Sequence, residues 1–408
     1  MFKKRLSVSG LFLVGLSAYG QTPAPAPAAA TPAAPAAPAA PTALSTPAIT
    51  GPLANVPPAV FGAGFFGDLS VNGIISGFGL VQNNHVPGDN SAQRDLSNGQ
   101  VFLQKTDGWF QFYLQAGAYN LPDLGVPYLS TDKTTTDLFG PLPVAFVKLQ
   151  PGKNTSIQIG ALPTMFGAEY TFSFENMNIE RGLLWNQENV ITRGIQVNQT
   201  MGKFAASLAW TDGFYSDRYT WLTGSLAYTN GPNALSFVGG GNLGQTKFDS
   251  LTTPVQNDGA IYNVIYTFTK GPVIVQPYFQ YTSVPTNAKL GIVNGASTTS
   301  GAILFNYGFK HGFSLPLRWE YISSSGSAAK DSVNLLYGPG SSAQSFTITP
   351  TYQTGGFFLR GEFAYVDAMS ATKGDAFGGS GTKGPQNNQS RAVLEAGFLF
   401  GNNVEKKP

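Results

Sequence analysis

The chain has 408 residues, of which 11% are charged against about 25% in ordinary soluble proteins, with 49 glycines, 13% aromatic residues and a formal charge of +2. So small a net charge gives no argument for a nucleic-acid surface or for steering of one strongly charged partner. The lack of cysteine excludes disulfides, thiolate chemistry and cysteine metal sites, and suits an oxidising periplasm.

The first twenty residues predict a signal peptide. Lys3, Lys4 and Arg5 form the positive region, Leu6 to Ser17 the apolar one, and Ala18-Tyr19-Gly20 a small-x-small cleavage site that leaves Gln21 as the mature terminus. Residues 21–65 then read as an Ala/Pro-rich, disordered periplasmic linker, because the stretch from Thr22 to about Thr50 is nearly all Ala, Pro and Thr and cannot build a core. No later stretch approaches the roughly 18 uncharged apolar residues of a membrane helix. An exported chain without such a helix spans a membrane only as a closed barrel.

From 66 to 401 the sequence alternates apolar and polar side chains in bursts of about ten residues, the pattern of a wall with oil on one face and water on the other. In Trp109–Tyr119, Phe110, Phe112, Leu114, Ala116 and Ala118 share one face while Gln111, Tyr113 and Gln115 share the other. Leu315, Leu317, Trp319 and Tyr321 stand in the same way against Arg318 and Glu320, and Phe357, Leu359, Phe363 and Tyr365 against Arg360 and Glu362. Charge keeps to the second face.

Short connections at Asp107-Gly108, Pro151–Asn154, Thr200–Lys203, Asn230–Asn233, Lys270-Gly271, Lys310–Phe313 and Gln353–Gly355 carry the Gly, Asn, Asp and Pro of tight hairpins, and they alternate with long polar loops. Seven turns and eight loops predict an all-β, transmembrane, antiparallel up-and-down β-barrel of about sixteen strands. Short turns belong to the periplasmic rim and long loops to the outer one, which places the chain in the outer membrane of a Gram-negative bacterium. Trp210, Trp221, Tyr228, Tyr281, Tyr321 and Tyr365 fall near burst ends, where a headgroup belt is expected. The last strand carries Ala392, Leu394, Ala396, Phe398 and Phe400 on one face, and residues 402–408 form a tail.

The polar face supplies the expected lumen lining: Gln111, Tyr113, Gln115, Lys148, Gln276, Tyr278, Gln280, Arg318, Glu320, Arg360, Glu362, Arg391 and Glu395, with Lys310 in phase with them. Arg and Glu in such a ladder brace the wall, set a transverse field for polar solutes, or do both. Its signs balance, so strong ion selectivity is not expected. The amide and tyrosine lining suits neutral polar compounds or sugars.

The loop Leu162–Asn189 differs in kind, since Met165, Phe166, Tyr170, Phe172, Phe174, Met177, Ile179, Leu183, Leu184 and Trp185 are too apolar to stand in solvent. It either folds inward to narrow the channel, leaving Glu175, Glu180, Arg181 and Glu188 facing the path, or packs on the rim as a lid or subunit contact. The run PTMFGAEYTFSFENMNIERGLLW, followed by NVITRGIQV, resembles the signature of the OmpL-like porins called β-barrel porin 2. By that resemblance Arg181 and Gly194 take motif positions, Val190 to Arg193 stand where the family usually has Pro and His, and an outer-membrane channel is implied.

Other signals lack their structural context. Gly239–Gly244 matches G-x-G-x-x-G, but no helix pattern follows to hold a phosphate. His85 and His311 fall on opposite rims, and Asp89 and Asp95 lack calcium-ligand spacing. No enzyme activity, cofactor or metal is expected. The expected function is a porin through which small polar solutes diffuse, with outer-membrane lipid and small solutes as partners and a homotrimer by analogy. The alternative is a non-conducting outer-membrane barrel that acts structurally or adhesively through its loops.

Overall fold

A computed structural model describes residues 48–49, 51–244, 255–379 and 383–402. The signal peptide, most of the expected linker, nearly all of the tail and the residues that follow Gly244 lie outside the described residues.

A short strand β1 (Ala59–Gly62) leads into β2 (Asp68–Gln82), β3 (Ala92–Lys105), β4 (Phe110–Tyr119), β5 (Val144–Gly152), β6 (Thr155–Pro163) and β7 (Ile191–Met201). There follow β8 (Phe204–Thr211), β9 (Trp221–Asn230), β10 (Asn233–Asn242), β11 (Ala260–Lys270), β12 (Val273–Val284) and β13 (Ala296–Gly308). The set ends with β14 (Phe313–Ser324), β15 (Ser342–Ile348), β16 (Thr351–Thr354), β17 (Phe357–Ser370) and β18 (Asn388–Phe400). Apart from β15 and β16, which do not pair with each other, each strand pairs antiparallel with its neighbours in sequence, and β18 returns to β2, from Phe400 beside Gly73 to Arg391 beside Gln82, so the sheet closes. The result is the expected sixteen-strand barrel. The count takes β15 and β16 as one wall strand, because β14 and β17 each pair with both pieces, and leaves out the four-residue β1 as an addition along β2. The break falls at Pro350, which has no N–H to give the ladder, although its carbonyl still accepts from Gly361 at 3.0 Å.

Closure is what lets this sequence live in oil, since every strand edge is used and one face of each strand is free to be apolar. Ile75, Ile195, Leu208, Phe237, Phe279, Trp319, Phe363 and Leu394 all stand outward with a third or more of their surface exposed. A continuous apolar band of this kind marks a lipid-facing surface rather than a soluble one. Trp210, Tyr228, Tyr321 and Tyr365 share that outer face, but Trp221 is a correction to the expected belt. It points inward, is fully buried and donates Nε1–H to the Asn257 carbonyl at 2.9 Å.

Two features were not visible in the period-two pattern. A β-bulge between β2 and β3 skips Ser97, since Ser76 pairs with Asn98 and Gly77 with Leu96. The bulge sends two consecutive side chains, Ser97 and Asn98, into the interior. The linker expected over 21–65 also ends early. The Ala48 N–H donates to Glu175 Oε1 at 3.0 Å, the amide of Gln353 clasps both backbone groups of Ala54, and Leu53 and Val56 are buried among Phe102, Phe358 and Leu399. β1 then lies along the start of β2, in line with the end of β18, where Asn402 N–H donates to Pro57 at 2.8 Å.

Candidate functional site in the barrel lumen

The third long connection leaves β6 and enters β7 at adjacent points: Pro163 pairs with Ile191, and Thr164 N–H donates to the Val190 carbonyl at 3.1 Å. Between these ends the chain folds into the barrel. Phe172, Phe174, Ile179, Leu183 and Leu184 are at most 1% exposed. Burying each contributes about 1.5–3 kcal/mol. They pack on inward side chains of the wall. Phe174 lies 5.7 Å from Phe102 and Phe172 5.2 Å from Tyr119 between ring centres, while Ile179 joins Phe78, Leu80 and Val393.

The polar half of the contact is made by the wall charges. Arg318 pairs with Glu169 on the segment at 2.5 Å, donates to the Glu180 carbonyl at 2.7 Å and lies 3.2 Å from Glu320. Arg360 donates to the carbonyls of Ser173, Asn176 and Met177 at 3.0, 3.0 and 2.8 Å and lies 3.4 Å from Glu395, its partner across the ladder. Glu395 also accepts from Ser97, Ser76 and Ser173, so the bulge serves the site directly. Arg391 bonds Glu180 at 2.8 Å and the carbonyls of Asp123 and Val126, tying in the second long loop as well.

Gln111, Tyr113, Gln115, Gln276, Tyr278, Gln280, Arg318, Glu320, Arg360, Glu362, Arg391 and Glu395 all point inward and are buried, and Lys148 points inward half-buried. Their surroundings differ from the expected open water. The arginines and glutamates among them lie beneath the inserted segment and are taken up by it, whereas Lys148 stands on β5 between Gln111 and Gln158. Lys310 instead sits exposed in its turn. Of the four residues expected to face the path, only Glu175 borders open space. Glu180 and Arg181 are fully buried, Arg181 bonding Asp123 at 3.1 Å with its guanidinium 5.3 Å from the Trp185 ring centre. Glu188 is buried against Gly167. Glu169 and Asp123 went unrecognised in the sequence, since an acid in a loop carries no local sign of a partner far along the chain.

A cavity of about 110 Å³ lies on the opposite side of the lumen, between the segment and the wall from β4 to β12. Gln115, Gln196, Ser225, Ser236, Thr267 and Gln276 present amides and hydroxyls to it, and Met165, Phe166 and Tyr170 face them from the segment. The lumen is therefore divided into a charged half that holds the segment and a largely neutral, hydrogen-bonding half that contains this cavity, bordered from the segment by Glu175 and by the Arg318-paired Glu169.

The family model beta-barrel porin-2, OmpL-like, matches residues 68–400. The chain belongs to this porin family. The barrel is similar to that of OmpT of Vibrio cholerae, at 12% identity over 82% of this chain and 98% of that one with a TM-score of 0.54. It is also similar to OmpF of Salmonella typhi, at 11% identity over 82% and 98% with a TM-score of 0.52. Likeness at this identity shows the outer-membrane barrel fold alone. No curated protein matches the sequence.

Burial also makes the inserted segment of this porin sensitive to pH. It pushes the Glu175 carboxyl up to about 7, against the hydrogen bonds from Ala48 and Phe172 and the charge of Arg181. Asp123 is likewise raised to about 7 by burial, opposed by Arg181 and reinforced by Glu180 and Glu169. Acids raised in the docked state favour docking below their ordinary values, and that contribution fades as pH rises toward 7. Conductance in a planar bilayer is expected to be higher at pH 8 than at pH 5. Glu175→Gln should flatten the profile; a conductance that falls with rising pH would contradict the assignment.

Proposed function

We propose that this chain is a porin passing small, mainly uncharged polar solutes along the neutral half of its lumen, as a channel and without catalysis. The observation that carries the proposal is the division of the lumen. Arg318, Arg360 and Arg391 are already engaged by carboxylates and carbonyls, so a permeating ion meets amides and hydroxyls instead of a field of one sign. A signal peptide over 1–20, a periplasmic linker ahead of Ala48 and a trimer in the outer membrane complete the proposal. Purified protein added to a planar bilayer is expected to raise conductance in steps, with a reversal potential close to zero in a salt gradient. Correctly folded protein that gives no steps at any voltage would reject it.

The depth to which the segment fills the barrel also favours a second reading, a closed barrel that acts through its outer loops. Folded, heat-modifiable protein without conductance would support that one.

A further inference from the structure

The wall holds the inserted segment chiefly by its main chain. Arg360 takes the carbonyls of Ser173, Asn176 and Met177, Arg318 that of Glu180, and Gln280 that of Leu184 at 2.9 Å. Glu362 accepts the N–H groups of Ile179 and Glu180 at 2.6 and 3.0 Å, and Glu320 those of Leu183 and Leu184 at 3.1 and 3.3 Å. Five carbonyls and four N–H groups of residues 173–184 are thus recognised by side chains of β12, β14 and β17. On β14 and β17 the donor and the acceptor are two residues apart, one Arg and one Glu on the same face. The apolar side chains between these bonds enter pockets that ask only for bulk, such as that of Ile179 against Phe78, Leu80 and Val393.

We infer that this half of the lumen is a recognition surface for short peptides in a bent conformation, which residues 173–184 occupy as an internal surrogate. A peptide solute offers the same alternation of C=O and N–H, with side chains that the apolar pockets tolerate. A sugar offers hydroxyls without that alternation. A bare ion gains little, because Arg318 and Arg360 already have Glu169, Glu320 and Glu395 as counter-charges. The segment is tied at both ends, so its effective concentration at the wall is of millimolar order. Free peptide competes at about that concentration, which is how a porin meets a solute rather than how a receptor holds a ligand. The inference names the solute class for the porin proposed above and rests on that proposal only for transport; binding at the wall is separable from it.

The test uses the full chain, which has no native cysteine, with Ile179→Cys introduced on the buried segment and an impermeant maleimide as probe. N-acetyl-trialanine amide at about ten times the effective concentration is expected to displace the segment from about nine barrels in ten and so to raise the labelling rate at least about tenfold. The same peptide with its amides N-methylated, and a trisaccharide of similar size, are expected to leave the rate unchanged. Equal action by the N-methylated peptide, or no action by either peptide, overturns the inference. Should Ile179→Cys fail to fold, Leu183→Cys, which is 1% exposed in the native protein, reports the same event. The assay needs no current. Conductance steps without any peptide effect would sink the inference and leave the porin standing, and peptide-driven labelling without conductance would do the reverse.

Discussion

Arg360→Ala is expected to release the centre of the inserted segment and to raise conductance several-fold. The substitution removes the donor to the Ser173, Asn176 and Met177 carbonyls and leaves Glu395 without its cation at a site where neither side chain reaches solvent. Breaking one side of a buried pair costs about 3–5 kcal/mol, largely because the remaining charge is stranded. Thermal conversion of the folded to the unfolded gel band should move to lower temperature. Arg360→Ala with Glu395→Ala separates the two causes. Removing the stranded carboxylate should restore much of the barrel's thermal stability, while the three carbonyls remain without a donor and conductance stays high. A double variant with native conductance would show that Arg360 braces the wall and does not hold the segment.

Excising Met165–Asn189 and closing the gap with a tight turn is expected to have the larger effect on conductance. The hairpin is already in place for it, since Pro163 faces Ile191 and Thr164 bonds Val190. A sixteen-strand wall without its insert leaves an aqueous channel. The excision removes Glu169, Glu175, Glu180, Glu188 and Arg181, and exposes Arg318, Arg360 and Arg391 beside Glu320, Glu362 and Glu395. Three charges of each sign keep the reversal potential near zero. In this open background, replacing Arg318 and Arg360 by Ala leaves three glutamates against Arg391 alone and should shift it toward cations; no shift would mean that those side chains do not face the channel once the segment is gone.

Most of the wall was legible because its physics is local. A strand with lipid on one side and polar groups on the other must alternate with a period of two, so Phe110, Phe112 and Leu114 separate from Gln111, Tyr113 and Gln115 without reference to anything distant. Tight turns need Gly or Asn where φ is positive, and Gly108, Gly231, Gly271 and Gly355 mark hairpins that the structure contains. The state of the inward charges was not legible, because Arg318 meets Glu169 and Arg360 meets Ser173 across separations of 149 and 187 residues. Phase gives direction and says nothing about what comes to cover a side chain. Ser97 illustrates a second limit: a one-residue bulge reverses the phase, and no residue type near it announces the slip. Excess apolar residues in Leu162–Asn189 showed that the loop had to be buried, and the choice between lumen and rim needed the wall's donors and acceptors in three dimensions.

The central claim is that this segment lies inside the barrel, clasped by the wall. In the folded, detergent-purified protein, a cysteine at Ile179 is expected to resist an impermeant maleimide until the barrel is heated open, whereas one at Ala329, exposed in another long loop, should react at once. Equal labelling rates at the two positions in the unheated barrel would place the segment outside and contradict the account.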